Sequence, residues 1–248
     1  IGLNSAATIH AMVEAMNLAY RDRNSELGDP SQIEIPVQRL TSKSYADQLR
    51  ALINFDKHTP SKQLSQIAPL PSNSTNTTHL SVADRHGSMV ALTTTLNFAY
   101  GNGIAVPGAG FLLNNEMDDF DSLSGAVNGY GFVGGVANAI APGKRMLSSM
   151  TPTFLESETD IAVIGTPGGS RITSMMLLAA LDFVKGNGAE SWVQVKRFHH
   201  QFMPDFIEYE NGALTDIEVK NLEDMGHQLK EAKYPYGNMQ AVSLNKIT

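Results

Sequence analysis

A short polar segment divides this chain into two parts of different character. Residues 72–78 read S-N-S-T-N-T-T and follow Pro69 and Pro71, which favours a turn or linker over regular structure. The segment leads directly into residues 79–83, whose composition predicts a β-strand. If the chain were cut before Thr77, its hydroxyl and its new α-amine would form a nucleophile and its base. A plain connecting loop is the alternative interpretation of this segment by itself.

The part before the linker has the pattern of helices. Apolar residues of 5–22 recur at helical spacing on one face, namely Ile9, Met12, Val13, Met16 and Tyr20. A briefer pattern of the same kind covers residues 45–53. Residues 55–76 contain Pro60 and many Ser, Asn and Thr, which predicts a linker. We therefore divide the chain into residues 1–76 and 77–248.

The part after the linker mixes strands, glycine-rich loops and helices. The strand pattern of 79–83 is repeated at 88–96, which predicts a hairpin. Further along, the sequence predicts a short buried strand at 161–164, an apolar helix at Ile172–Val184, a helix at 189–202, and a strand with a turn at 206–219. Helices that flank a mainly antiparallel sheet system define an α+β layered architecture.

Gly87 predicts the register of the hairpin. A three-residue loop, Arg85-His86-Gly87, would use Gly87 in the left-handed conformation of a G1 bulge. Thr77 would then face Thr95, whereas a two-residue loop would place Thr94 opposite. A hydroxyl beside a threonine nucleophile can orient it, although a threonine ladder on a solvated strand face is an equally open interpretation.

Three polar segments downstream could bind or stabilise charged groups. The stretch N-N-E-M-D-D-F-D at 114–121 offers carboxylates for an ammonium group or a metal, or forms a solvated turn. Ser148 and Ser149 follow a basic pair, so they could bind a carboxylate or cap a helix. The turn G-T-P-G-G-S-R at 165–171 could aim backbone N–H groups at an oxyanion, or could need glycine only for its tight backbone.

Composition excludes several classes of function. The formal net charge of −7 argues against a nucleic-acid partner, because phosphates need clustered Lys and Arg. The absence of cysteine excludes disulfides, thiolate metal sites and a cysteine nucleophile. The apolar run at 175–181 meets Asp182 too soon to span a bilayer. The seven histidines have no metal-ligand spacing, so we expect no metal; His199 and His200 would be a structural pair.

Taken together, these segments resemble the γ-glutamyltranspeptidase family of N-terminal nucleophile hydrolases. The resemblance rests on T-T-H-L-S-V-A-D-R-H-G (77–87), T-L-N (95–97), G-F-L-L-N-N-E-M-D-D-F (110–120), K-R-M-L-S-S-M-T-P-T (144–153), P-G-G-S-R-I (167–172) and R-F-H-H-Q (197–201). It extends over essentially the whole chain in the order of the family. The implied fold is a four-layer αββα sandwich, of which this chain would hold an incomplete part.

The resemblance implies a role for each candidate residue. Thr77 would cut the Asn76–Thr77 bond and then attack γ-glutamyl amides such as glutathione, with Thr95 hydrogen-bonded to it. The α-amino end of the glutamyl group would be held by Asn97, Glu116 and Asp119. Its α-carboxylate would be bound by Ser148 and Ser149, and the oxyanion hole would be formed by Gly168 and Gly169. His79 could also serve as a base, but the α-amine of Thr77 would be closer.

The family resemblance further implies the setting of the chain. Residues 1–76 would be the end of the large subunit and residues 77–248 most of the small catalytic subunit, with Tyr130 in a flap over the pocket. The carboxylate-binding Arg would lie in the remainder of the large subunit, outside this chain. The reaction would need no cofactor, its acceptors would be amino acids, peptides or water, and the location would be periplasmic or extracellular.

Two other interpretations remain open at the level of sequence. One is an acylase of the same fold that acts on β-lactam side chains or on poly-γ-glutamate. The other is a non-catalytic remnant that serves in interaction or packing. The pair Glu116 and Asp119 favours a substrate with an ammonium group.

Overall fold

The computed structural model describes residues 5–64, 77–121 and 135–246. Its helices are α1 (Ala6–Glu26), α2 (Val37–Leu40), α3 (Lys43–Arg50), α4 (Ser61–Leu64), α5 (Ile172–Val184), α6 (Ala189–Gln194) and α7 (Asp216–Asp224). Its strands are β1 (Thr77–Ala83), β2 (Met89–Thr95), β3 (Thr153–Glu156), β4 (Asp160–Gly165), β5 (Phe198–His199), β6 (Ile207–Tyr209), β7 (Leu229–Glu231) and β8 (Gln240–Asn245). Three 3₁₀ turns lie at Glu116–Asp119, Val136–Asn138 and Gly169–Arg171.

The chain folds into two compact units, each built from separate stretches of sequence. The first comprises the described residues of Ile1–Asn73, Met117–Ser148 and Phe198–Lys233, and the second those of Ser74–Glu116, Ser149–Arg197 and Tyr234–Thr248. The division at residue 76 concerns the covalent chain, so it does not coincide with this spatial division and stays a prediction.

The first unit is organised around α1. Ser5 caps this helix by accepting a hydrogen bond from the Thr8 N–H, which satisfies one of the unpaired amides of the first turn. The predicted apolar face is confirmed for Ile9, Val13, Met16 and Tyr20, which are buried, whereas Met12 is only half-buried. The helix packs against α3, α7 and the turn Val136–Asn138.

A small mixed sheet completes the first unit. Strand β6 pairs antiparallel with β5 and parallel with β7. The predicted helix at 189–202 is therefore wrong in its second half, because the helix ends at Gln194 and Phe198–His199 pairs with β6 instead. The predicted strand at 206–219 is confirmed at Ile207–Tyr209, but its end is the start of α7, which Thr215 and Glu218 cap reciprocally.

The second unit contains an antiparallel sheet with the strand order β3-β4-β8. Strand β4 contacts both the β1–β2 hairpin and α5. Its residues Ala162, Val163 and Ile164 are fully buried, as expected for a strand covered on both faces. The predicted strand at 161–164 and the predicted helix Ile172–Val184 are thus confirmed, and hairpin, sheet and helix form successive layers of an α+β unit.

Candidate active site

The hairpin places Thr77 directly opposite Thr95. The loop is closed by a hydrogen bond from the Asp84 N–H to the Ser88 carbonyl at 2.9 Å, and Gly87 adopts φ +85°. The register pairs Thr77 with Thr95, as the glycine position predicts, and Thr94 pairs with Thr78 on the other face. Three loop residues therefore decide which hydroxyl lies beside Thr77.

A hydrogen bond joins the two threonine hydroxyls. Thr77 Oγ1 donates to Thr95 Oγ1 at 3.0 Å. Thr95 Oγ1 also accepts the backbone N–H of Asn97 at 2.8 Å. The oxygen that receives the Thr77 proton is thus fixed by the main chain as well as by its own side-chain rotamer, which leaves Thr77 Oγ1 oriented.

Asn97 ties the end of β2 to the acidic segment. Its backbone has φ +70°, a conformation that asparagine adopts more readily than most residues, and its side chain is 1% exposed. Asn97 Nδ2 donates to the Asn115 carbonyl at 3.2 Å, and Asn115 Oδ1 accepts the Phe98 N–H at 2.9 Å. These reciprocal bonds hold Asn115, the residue before Glu116, against the end of strand β2, which carries Thr95.

Glu116 presents a carboxylate oxygen that lacks a partner. Its backbone N–H donates to Asn114 Oδ1 at 3.0 Å, while its Oε1 is buried and has no hydrogen-bond partner among the described residues. Burial raises the pKa of Glu116, because the charged form loses its hydration. An ammonium group bound here would supply the missing donor and reverse that pKa shift.

The turn after β4 presents backbone N–H groups. Gly168 has φ +150° and Gly169 has φ +58°, so both occupy regions that L side chains rarely adopt. Within the described part of the chain, neither N–H group donates a hydrogen bond. A turn with two unused donors can bind an anion or an oxyanion.

His79 joins the hairpin to the strand that leads into this turn. Its imidazole lies on Gly165 so closely that a Cβ there would be 2.2 Å from His79 Cε1. The ring nitrogens contact Thr93 Oγ1 at 2.7 Å and Ser81 Oγ at 3.1 Å. Burial lowers the pKa of His79, so the ring is neutral, and with both nitrogens engaged it supports the hairpin more readily than it acts as a base.

The remaining candidates fall in both units or outside the described residues. Asp119 and Ser148 belong to the first unit, where the Asp119 carbonyl accepts a bond from Asn138 Nδ2 at 2.7 Å. Ser149 belongs to the second unit, and its carbonyl accepts the Thr151 hydroxyl at 2.8 Å. Asn76 and Tyr130 lie outside the described residues. The binding roles of Asp119, Ser148 and Ser149, the cleavage site at Asn76 and the flap around Tyr130 stay predictions.

Sequence reasoning missed two features of the described structure. Asn115 is hydrogen-bonded to both Asn97 and Phe98. In the sequence, only the pair of asparagines in N-N-E could have indicated this role. Separately, Arg23 is half-buried in the first unit. Desolvation lowers its pKa, and the charges of Asp119 and Asp121 partly offset that shift. Burial also raises the pKa of Asp121 to about 6. The α1 pattern gave no indication of this contact.

Structural comparison identifies the fold class. A cephalosporin acylase from Bacillus halodurans matches the whole chain and 42% of its own length with a TM-score of 0.75, at 21% sequence identity. That likeness shows the fold alone. Together with the matches described next, it places the chain among the N-terminal nucleophile hydrolases, which confirms the predicted α+β fold class.

The chain belongs to the γ-glutamyltranspeptidase family, whose model matches residues 1–248. A glutathione hydrolase proenzyme from Pseudomonas sp. strain A14 is 43% identical over 230 residues, which are 92% of this chain and 40% of that protein. γ-Glutamyltranspeptidase from Pseudomonas nitroreducens complexed with L-DON is 43% identical, with a TM-score of 0.64 over 69% of this chain and 91% of the solved chain.

Two further relatives bear on function. An acivicin-inhibited γ-glutamyltranspeptidase, whose C-terminus has critical roles in autoprocessing and catalysis, is 40% identical, with a TM-score of 0.64 over 68% of this chain and 96% of the solved chain. The acylase ACY 1 proenzyme of Pseudomonas sp. strain SE83 is 32% identical over 99% of this chain. The chain spans about two fifths of the length of the curated relatives it matches.

Proposed function

We propose that this chain is the catalytic region of a γ-glutamyl transferase and hydrolase that matures by cutting its own Asn76–Thr77 bond. The observation that carries the proposal is the hydrogen bond of 3.0 Å between the hydroxyls of Thr77 and Thr95 at the start of the β1–β2 hairpin. Membership of the γ-glutamyltranspeptidase family supports the substrate class.

Maturation uses the Thr77 hydroxyl before any amine exists. Thr77 Oγ1 attacks the carbonyl carbon of Asn76, the peptide C–N bond breaks, and the nitrogen gains a proton to become the Thr77 α-amine. Water then hydrolyses the resulting ester and leaves a carboxylate on Asn76. The acivicin-inhibited relative supports this step, because the C-terminus of that protein has critical roles in autoprocessing.

Turnover repeats the same attack on a γ-glutamyl amide. The free α-amine of Thr77, with an ordinary pKa of about 8, accepts the hydroxyl proton as Oγ1 attacks the γ-carbonyl carbon. The oxyanion that forms is stabilised by the N–H groups of Gly168 and Gly169. The leaving amine takes the proton, and a γ-glutamyl ester stays on Thr77 until water yields glutamate or an acceptor amine yields a new amide.

Substrate recognition follows from the charges of the site. The buried Glu116 Oε1 without a partner suits the α-ammonium of the glutamyl group, with Asn97 and Asp119 as further contacts. Ser148 and Ser149 would bind the α-carboxylate. We propose glutathione as the donor, amino acids, peptides or water as acceptors, and an exported location. No described helix is long and apolar enough to cross a membrane.

Self-cleavage is tested on gels of the purified protein beside its Thr77→Ala and Thr77→Ser variants. We expect the wild type to split into two fragments, with a new N-terminus at Thr77 by mass spectrometry. Thr77→Ala should stay intact, whereas Thr77→Ser should cut slowly because it keeps a hydroxyl. Equal cutting of Thr77→Ala would exclude Thr77 as the maturation nucleophile.

The substrate class needs a separate assay. The match to the acylase ACY 1 proenzyme favours an acylase as the second candidate. We expect cleavage of a γ-glutamyl anilide at a kcat/KM at least roughly 100-fold above that of the matching glutaryl anilide, which lacks the ammonium group that Glu116 would pair. A preference for the glutaryl substrate would instead support the acylase.

A further inference from the structure

The first unit buries a cluster of ionisable side chains that the proposed reaction does not use. Its members are His10, Glu14, His58, His200, Asp205 and His227. All except Asp205 are at most 7% exposed. His10 and Glu14 lie on α1, and His58 lies just before α4. His200 and Asp205 follow β5, and His227 follows α7.

We propose that His10, Glu14 and His227 form a binding site for a single Zn²⁺ ion. One ligand atom from each of these three residues lies within 4.8 Å of the others. His10 and Glu14 are one helical turn apart on α1 and so share a face. His227 approaches from its place after α7, with His10 Nδ1 and His227 Nε2 only 2.7 Å apart.

The hydrogen bonds around His10 prepare it as a ligand. His10 Nε2 lies 2.8 Å from the Asn54 carbonyl oxygen, which can only accept. His10 Nε2 is therefore the donor in this contact, and Nδ1 faces His227 Nε2. A backbone carbonyl that fixes the tautomer in this way is the usual outer contact of a metal-bound histidine.

Glu14 is oriented by an outer partner in the same manner. His58 Nδ1 lies 2.6 Å from Glu14 Oε1, and the backbone N–H of Thr59 donates to both Glu14 oxygens at 3.3 Å. The second nitrogen of His58 lies 3.1 Å from Asp205 Oδ1. These contacts hold the carboxylate towards the two histidines without occupying all of its lone pairs.

The carboxylates of the cluster face histidines. His58 lies between them, with Nδ1 2.6 Å from Glu14 Oε1 and Nε2 3.1 Å from Asp205 Oδ1. His200 Nε2 lies 3.2 Å from Asp205 Oδ1, and its Nδ1 accepts the Phe202 N–H. In the described part of the chain, neither carboxylate pairs with Lys or Arg. A bound divalent cation would bring positive charge to this group of carboxylates.

The donor set selects the metal. Two imidazole nitrogens and one carboxylate oxygen match the His₂Glu ligand set of zinc sites, and no thiolate is present that would favour softer ions. The competing arrangement is the hydrogen bond between His10 Nδ1 and His227 Nε2, whose proton zinc would displace.

Zinc binding is measured on the whole chain after dialysis against a chelator. We expect calorimetry with ZnCl₂ to give one equivalent bound. At a hundredfold excess over the dissociation constant, we expect the unfolding midpoint to rise by roughly 5–10 °C. The His227→Gln and His10→Gln variants should bind at least roughly 100-fold more weakly. His86→Gln, which changes an exposed histidine in the hairpin loop, should bind as the wild type does.

Three outcomes would overturn the proposal: no zinc binding by the wild type, undiminished binding by both ligand variants, or equal loss in His86→Gln. Because a buried histidine variant can fail to fold, the wild type is also loaded with Co²⁺. X-ray absorption should then show two imidazole ligands and the visible spectrum should show the bands of four-coordinate cobalt. A six-coordinate spectrum without imidazole would contradict the site. None of these readouts depends on γ-glutamyl chemistry, so the result is independent of the proposed function.

Discussion

At the scale of single residues, the candidate nucleophile depends on a neighbour that is itself fixed. The Thr77 hydroxyl donates to Thr95, and Thr95 accepts a second hydrogen bond from the Asn97 main chain. The left-handed backbone of Asn97 aims that N–H at Thr95. The main-chain conformation of Asn97 therefore fixes the orientation of the Thr77 hydroxyl through Thr95.

Removing the Thr95 hydroxyl should slow both steps of the proposed chemistry. Thr95→Val keeps the shape of the side chain but loses the acceptor for Thr77 Oγ1. We expect self-cleavage and kcat to fall by roughly 10- to 100-fold, the effect of one hydrogen bond to a group that changes charge. The matched control is Thr94→Val, which changes an exposed threonine on the opposite face of the same strand. Equal losses in the two variants would contradict a specific role for Thr95.

Glu116 should control the affinity for the glutamyl ammonium group. In Glu116→Gln the carboxylate becomes a neutral amide, so we expect KM for a γ-glutamyl anilide to rise at least roughly tenfold. Burial raises the pKa of Glu116, and protonation removes the charge that attracts the ammonium group. In the wild type KM should therefore increase as the pH falls, with an apparent pKa above the ordinary value of 4.5. A wild-type pH profile that is the same in Glu116→Gln would exclude this role, and the exposed Glu156→Gln serves as the control.

At the scale of elements, the β1–β2 hairpin decides which side chains meet. Its three-residue loop sets the register, and its packing on β4 places His79 against Gly165. The register depends on Gly87, which has a positive φ. The packing of His79 depends on Gly165, which leaves room for the imidazole ring. The nucleophile strand and the strand before the Gly168–Gly169 turn are thereby held together within the second unit.

Gly87 should be sensitive to a side chain although nothing surrounds it. No atom lies within 4 Å of a Cβ at this position, so any loss of stability would arise from its φ of +85° alone. We expect Gly87→Ala to destabilise the fold by about 1–2 kcal/mol and to lower the unfolding midpoint by roughly 2–8 °C. Gly87→Asn should lose less, because asparagine tolerates this conformation. The same midpoint for alanine and asparagine would argue against backbone strain.

At the scale of the whole molecule, each compact unit is assembled from distant stretches of chain. Asp29 illustrates this in the first unit, because its buried carboxylate accepts the Arg145 backbone N–H at 2.8 Å and the Arg145 Nη2 at 3.1 Å. Ser31 donates to the same carboxylate from its hydroxyl and its backbone N–H. These bonds favour the charged form and hold the pKa of Asp29 well below its ordinary value of 3.8.

The Asp29 contact should make stability depend on pH. A carboxyl with a lowered folded-state pKa contributes stability that is present above pH 3.8 and is lost as the pH falls through its folded-state value. We expect Asp29→Asn to lower the unfolding midpoint at pH 7, and the difference from wild type to shrink in thermal scans taken below about pH 4. The control is Asp224→Asn, which removes an exposed pair with Lys220. A constant difference between wild type and Asp29→Asn from pH 7 to pH 3 would contradict this assignment.

Much of the second unit could be predicted from the sequence. Local patterns gave β1, β2, β4 and α5, because alternation, turn residues and apolar runs act over a few neighbouring residues. Strands β3 and β8 were missed, since each is defined by its partner more than by its own residues, and so was the short strand β7 of the first unit. Phe198–His199 was predicted to be helical for the same reason: its pairing with β6 overrides local preference.

The amino-acid sequence by itself determined the family, the Thr77–Thr95 register and the set of candidate residues, because motifs and turn chemistry are properties of contiguous sequence. Only the tertiary structure decided that Asn115 clamps Asn97 and that a Glu116 oxygen is buried without a partner. It alone brought His227 to His10 and Glu14, which precede it by more than 200 residues. Such contacts depend on how separate segments pack, and burial and hydrogen-bond satisfaction are defined only once that packing is complete.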